Sequence, residues 1–315
     1  MALASHPTDR SERDMPEASR TTDLSTRVTA IVVSYESAAV LPACLAALAA
    51  EGVPAIVVDN ASTDASREIA QAHGARLIAN PRNEGYGRAN NRGVAACDTP
   101  FALIVNPDLE VGPGAVAALL AAAQAYPDAG LLAPRIVEPS GRVFIQPRSL
   151  LSPPHLNRAR EVVAPEGDAC LPFLSGACLL VRRGAFAEIG GFDPEIFLFY
   201  EDDDLCRRMR EAGHALVHVH AARAAHARGR SSRPSLKRRF NARWHLAWSH
   251  AYVAAKYGLP ETSLVSILNN AIKTVAYGLI LNRAKMAAHA GSVAGALAWR
   301  GGGRALSRQM LDGEP

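Results

Sequence analysis

From Val28 onward, short apolar runs that each end in polar residues alternate with Ala/Leu-rich stretches of helical type, and this pattern constrains the chain more than any other feature. Residues 28–33 and 55–58 are β-branched runs, with the helical segment 41–50 between them. A strand over 75–79, a helix over 87–96, a strand over 101–105 and a helix over 114–125 follow. Such alternation predicts a mostly parallel sheet covered by helices. Open sheets of this kind bind ligands beyond the carboxyl ends of their strands. Attention therefore falls on Asp59-Asn60-Ala61-Ser62-Thr63-Asp64, on Asn106-Pro107-Asp108, and on the segment 83–93 between them, which should share one rim.

Further along, residues 171–181 read as a strand interrupted at Gly176, and Glu201-Asp202-Asp203-Asp204 opens a helix that Gly213 ends. Residues 215–219 form another strand, a basic stretch spans 228–243, and the remainder is helical in composition without a detectable repeat. At 315 residues, with 49% hydrophobic and 20% charged residues, the chain can build a sizeable core and is not disordered overall. Five cysteines without a C-x-x-C pair indicate neither a disulfide framework nor a zinc ribbon, which fits a reducing cytoplasm.

Charge is uneven. From Arg223 to the end there are 15 Lys and Arg against 3 Asp and Glu; before it, 19 against 27. The acidic first part argues against nucleic-acid binding, and the basic tail suits either anionic headgroups or solvent. Residues 1–27 are polar, without the apolar run of a signal peptide or a membrane span, and read as a disordered leader. The apolar segment 263–281 is broken by Asn269, Asn270 and Lys273 and reads as a buried or interfacial helix. Arg233, Lys237, Arg238, Arg239 and Arg243, interleaved with Phe240, Trp244 and Trp248, leave two options: a basic helix lying on membrane, or one packed on the body of the protein.

Each strand-end motif has a plain structural alternative. Asp59 is placed where an α/β sheet puts an acid for a nucleotide, yet Asp59–Asp64 also reads as a turn with a helix cap at Ser62 or Asp64. The first turn, Ser34-Tyr35-Glu36-Ser37, lacks the glycines of a dinucleotide fingerprint. Asp108 can hold a divalent cation that substrate phosphates share, while Asn-Pro-Asp is also a common strand-ending turn. Four consecutive carboxylates at 201–204 exceed what a helix start needs for its dipole, worth about 0.3–1 kcal/mol per charge. Their repulsion points to a compensating cation or a functional demand. His226 alone says little among ten histidines.

Together, and in order, IVVSY, VVDNASTD, NEGYGRANNRG, VNPD, SGACLLVRR and GGFDPEIFLFYEDDDLCRRMREAGH, with a histidine before a Gly/Ser loop, resemble glycosyltransferase family 2, in particular its bacterial rhamnosyltransferase-like branch. The resemblance covers residues 28–230 and implies an α/β GT-A catalytic domain with a helical C-terminal extension over 231–315. It makes Asp59 the acceptor for the nucleotide base, beside Ser34, Tyr35 and Glu36. Asn106 and Asp108 occupy the metal-binding D-x-D position, Asp108 holding Mg²⁺ or Mn²⁺ on the diphosphate and His226 adding a ligand. Asp202 becomes the catalytic base, with Glu201 and Asp204 supporting the acceptor or its loop. Gly85, Arg88 and Asn90 lie near the donor, Gly85 permitting close backbone approach. Two positions depart from the family pattern: Asn106 replaces its first aspartate, and Glu36 stands where relatives carry Asn.

The implied function is a metal-dependent inverting glycosyltransferase, cytoplasmic or peripheral on the inner membrane face. It would move a sugar from a nucleotide donor, dTDP-rhamnose in the first instance, to a glycan or lipid-linked acceptor in cell-envelope polysaccharide synthesis. A sugar nucleotidylyltransferase would want a Gly-rich phosphate loop, which residues 28–37 lack. A non-catalytic scaffold of the same fold would have no reason to keep Asp202, Asp108 and His226 together.

Overall fold

The computed structural model describes residues 23–144, 149–151, 164–226, 235–260 and 262–305. Most of the expected leader, the Gly/Ser loop after His226 and the boundary near residue 230 lie outside the described residues. Asp23 caps a 3-10 turn over Leu24–Thr26, which leads into β1 (Val28–Ser34). There follow α1 (Leu41–Ala50), β2 (Ala55–Asp59), α2 (Ser66–Ala72), β3 (Arg76–Ala79), α3 (Tyr86–Ala95), β4 (Phe101–Val105), β5 (Leu109–Val111) and α4 (Ala115–Ala125). The second half carries β6 (Ala129–Val137), β7 (Val143–Phe144), β8 (Ala169–Cys170), β9 (Cys178–Arg182), α5 (Arg183–Glu188), α6 (Glu201–Glu211) and β10 (Ala215–His226), then α7 (Leu236–Lys256), α8 (Leu264–Leu279) and α9 (Arg283–Arg300).

One sheet runs β3-β2-β1-β4-β9-β6-β10-β5. Strands β3, β2, β1 and β4 are mutually parallel, β9 runs antiparallel to β4 and β6, and β10 lies parallel to β6. Helices cover both faces, so the central strands β1, β2, β4 and β9 are buried along nearly their whole length rather than alternating. Val28, Ala30 and Val32 pack with Leu41, Leu45 and Leu48 of α1 and Leu119 of α4 on one face. Ile31, Val33 and Ile104 pack with Ala89 of α3, Phe192, and Leu205 and Met209 of α6 on the other.

Two strands differ from expectation. The segment 171–177 is irregular and only Cys178–Arg182 pairs as β9, leaving the Gly176 N–H free for a side chain. Strand β10 extends past Val219 to His226; its second half is mostly alanine and lacks β-branched residues, so its pairing with β5 and β6 is set by tertiary contact rather than propensity.

Helices α7, α8 and α9 form the C-terminal layer. Trp244 and Trp248 of α7 are buried, which settles the two options for that helix in favour of packing. Gly291 and Gly295 let α9 lie directly on α7: a Cβ at either would collide with the carbonyl of Phe240 or Trp244. Lys256 ties α7 to the body of the protein by bridging Asp193 and Asp204, each at 2.6 Å.

Candidate functional site

The carboxyl ends of β1, β2 and β4 carry the expected residues. Ser34 and Asp59 are register partners at the ends of β1 and β2, and both are fully buried. Asp59 Oδ1 accepts from Arg67 Nε (2.5 Å) and from the Ser62 N–H (3.1 Å). Asp59 Oδ2 and Ser34 Oγ are buried with no hydrogen-bond partner among the described residues. A buried acceptor left alone costs about 1–3 kcal/mol, so a hydrogen-bonding ligand at this end of the sheet could offset that cost. Asp64, by contrast, does the capping work: its carboxylate accepts from the Ser66 and Ala38 N–H groups, 3.0 Å each.

Tyr35 is partly exposed, and the Glu36 Oε1 is taken up by the Thr63 N–H (2.7 Å) and hydroxyl (3.0 Å), so it braces the Asp59–Asp64 loop. Gly85 has φ 84, and a Cβ there would overlap Phe197, so its close backbone approach is to the segment preceding α6. Its carbonyl accepts from Asn60 Nδ2 (3.2 Å), itself held by Asn80, which binds Arg92. Arg88 Nε donates to the Pro194 carbonyl (2.6 Å). Asn90 is fully buried; its Nδ2 donates to the Tyr86 carbonyl and its Oδ1 has no partner among the described residues.

Asn106 follows β4 and donates its N–H to the Ala177 carbonyl (2.9 Å). Two residues on, Asp108 Oδ1 lies 3.1 Å from His226 Nε2, although the two are 118 positions apart in sequence. The antiparallel pairing of β10 with β5, His226 against Leu109, makes this contact. His226 Nδ1 is buried without a partner among the described residues. A carboxylate and an imidazole side by side can hold a divalent cation when a substrate supplies further oxygens. No cluster of three such groups occurs among the described residues, so the diphosphate would have to complete the shell.

The acidic helix start separates by function. Asp202 Oδ2 accepts from the Gly176 N–H (3.1 Å), and the carbonyl of the next residue, Ala177, accepts from the Asn106 N–H, so one short piece of backbone lies between Asp202 and Asn106. The Tyr86 hydroxyl closes the same corner by donating to the Gly176 carbonyl (2.7 Å). Burial, then the neighbouring Asp203 carboxylate, push the Asp202 carboxyl above its ordinary range. Burial, then Asp202, push Glu201 up as well, and its buried Oε2 has no partner among the described residues. Asp203 faces away and accepts from the Leu150 N–H (3.1 Å). Asp204 is fully buried and satisfied by Arg208, Lys256 and the Tyr257 hydroxyl, so it anchors α6 to α7.

Sequence reasoning missed Arg67, Gly176, Tyr86 and Lys256. Arg67 carried a signal, a cation one helical turn into the segment after Asp59. The others depend on folding that no local pattern records.

The family model of glycosyl transferase family 2 matches residues 29–190. An N-acetylglucosaminyl-diphospho-decaprenol L-rhamnosyltransferase of Mycobacterium tuberculosis is 34% identical over 209 residues, covering 57% of this chain and 68% of the relative. The rhamnosyltransferase WbbL of Escherichia coli is 36% identical over 89 residues, 28% of this chain and 33% of that one. Among solved structures, the Pyrobaculum calidifontis mannosyltransferase PcManGT, in complex with GDP-Man and Mn²⁺, superposes with a TM-score of 0.54 at 16% identity, over 91% of this chain and 88% of that one. GalNAc-T7 with UDP, GalNAc and Mn²⁺ gives 0.53 at 17%, over 76% of this chain and only 52% of its own. These neighbours share the GT-A fold. A family match over about half of the chain, together with the mycobacterial relative, shows that the chain belongs to glycosyl transferase family 2.

Proposed function

We propose that this glycosyltransferase moves a sugar, L-rhamnose in the leading case, from a nucleoside-diphosphate donor to a glycan or lipid-linked acceptor of the cell envelope, with inversion at the anomeric carbon. The relatives named as rhamnosyltransferases support the sugar, and the diphospho-decaprenol substrate of the mycobacterial enzyme supports a lipid-linked acceptor. The observation that carries the reading is the bridge at Gly176-Ala177, which joins Asp202 to Asn106, two residues before Asp108.

Asp59 Oδ2 is free to accept an N–H from the nucleotide base, and Ser34 Oγ lies at the same strand end. Asp108 and His226 would hold Mg²⁺ or Mn²⁺, which neutralises charge on the departing diphosphate when bound. Asp202 takes the proton of the acceptor hydroxyl as that oxygen attacks, and its raised proton affinity suits a base. Attack from the face opposite the leaving group inverts the configuration. The two backbone N–H groups that Asp202 accepts, from Gly176 and Asp203, fix its carboxylate in place.

Nucleoside-diphosphate release, measured against a panel of nucleotide sugars with a water-soluble acceptor, tests the reading. Turnover is expected with a deoxythymidine- or uridine-linked donor, lost in EDTA and restored by Mn²⁺ or Mg²⁺. Full turnover in chelator overturns the cation role, and no release with any donor overturns the transfer reaction.

A further inference from the structure

Helix α8 is amphipathic in the reverse sense. The side facing α9 is polar or small: Asn270 Oδ1 meets His289 Nδ1 at 2.8 Å and the Tyr277 ring stacks on His289 at 5.4 Å. Ile267 is the one buried residue among the described residues of this helix. The other side carries Leu264, Val265, Leu268, Ile272, Val275 and Leu279, which are 57–80% exposed. At 3.6 residues per turn these six fall in one stripe about 100° wide, the width that ordinarily faces a core. The stripe continues into the turn before α9 through Ile280 (68% exposed) and Leu281 (81% exposed), the latter held in left-handed backbone at φ 55. Consecutive exposed apolar side chains of this kind mark an interaction surface.

The surroundings say what covers it. Residues 235–305 contain ten Lys and Arg against one acid, Glu261. Lys273, Arg283 and Lys285 are exposed beside the stripe and the turn, and Lys285 Nζ sits 5.0 Å from the Tyr277 ring centroid. Burial, then the positive charges of Lys273, Arg243 and Lys285, hold the His289 imidazole below its usual range. A second copy of the chain would bring two such basic surfaces together. An anionic leaflet complements both the charge and the stripe. Among the described residues no helix is long and apolar enough to cross a membrane, and α8 with 16 residues is no exception.

We propose that α8 docks this protein on an anionic phospholipid bilayer, lying in the interface with the Leu264–Leu279 stripe among the upper acyl chains and Lys273, Arg283 and Lys285 among the headgroups. This goes beyond the transfer reaction and does not rest on it, because it uses neither the donor site nor Asp202. Docking would hold a lipid-linked acceptor in reach by confining enzyme and acceptor to one surface.

The test is flotation of the full chain with vesicles of phosphatidylcholine containing about 30% phosphatidylglycerol, or of phosphatidylcholine alone, at low and high salt. Binding is expected on the mixed vesicles, at least about tenfold weaker on phosphatidylcholine and weaker at high salt. The triple variant Leu268→Gln, Ile272→Gln, Leu279→Gln should lose at least about tenfold in partitioning while keeping its melting temperature and its turnover on a water-soluble acceptor, since these side chains leave no core behind. The pair Lys273→Glu, Lys285→Glu should weaken binding to the mixed vesicles only. Wild-type protein that stays unbound, or a triple variant that binds like wild type, overturns the proposal. So does a wild-type dimer in sedimentation that the triple variant dissolves, because the stripe would then belong to a second copy. Turnover on the soluble acceptor in the same preparations reports separately on the transfer reaction.

Discussion

The strand-end rim and the outer face of α8 break opposite rules. At the rim, buried polar atoms have no partner among the described residues: Ser34 Oγ, Asp59 Oδ2, Asn90 Oδ1, Glu201 Oε2 and His226 Nδ1. On α8, large apolar side chains have no cover. Between the two regions, Asp204 follows the ordinary rule, fully buried with both oxygens satisfied. The contrast teaches that a departure from good packing carries the chemistry of what is absent. Unpaired acceptors inside call for hydrogen-bonding ligands, and uncovered leucines outside call for an apolar medium.

The comparison can be broken at the rim first. Asp202→Asn removes the proton acceptor without changing shape, and turnover should fall by about 10²–10⁴ with nucleotide binding near normal. Retention of more than about a tenth of the wild-type rate takes Asp202 out of the mechanism. Next in size is Asp204→Ala, which strips Lys256, Arg208 and Tyr257 of a shared partner; chemical denaturation should report a loss of about 3 kcal/mol. Asp59→Asn should separate the two kinds of buried acid. It keeps an acceptor for Arg67 while replacing the unpaired oxygen by a donor, so calorimetric nucleotide affinity should drop about 10–100-fold with a smaller loss of stability than in Asp204→Ala. Equal destabilisation by both would erase the distinction.

The smallest effect concerns pH. A carboxyl whose proton affinity is raised stays protonated, and inactive as a base, to higher pH than a free aspartic acid. The acid limb of the kcat/KM profile should therefore lie above about 4 and rise as the pH increases through it. A limb at the free-carboxylate position contradicts the burial of Asp202.

Much of the sheet half was legible because covering both faces makes each strand a continuous apolar run, and polar residues mark where each one stops. The helix starting at Glu201 was likewise visible from its acids and from Gly213. The site was legible in part. The resemblance named Asp59, Asp108, Asp202 and His226, yet it could not tell that Asp204 is spent on Lys256 and Tyr257, or that Glu36 braces Thr63. Those assignments depend on which side chain reaches which partner across tens of residues. The C-terminal layer was least legible: Trp244 and Trp248 left α7 between a membrane-lying helix and a packed one until their burial decided it, whereas the exposed stripe belongs to α8, where Asn269, Asn270 and Lys273 obscured it. Periodicity reports that one face is apolar and is silent on which way that face turns.

The pairing of β10 with β5 also sets an order of events. Synthesis proceeds from the amino end, so a nascent chain that has emerged only through α6 already carries Asp59, Asp108 and Asp202 but has no imidazole to set beside Asp108. The proposed cation pair is finished by the last strand of the sheet to be made, and a chain interrupted before it would carry Asp108 without the imidazole that lies beside it.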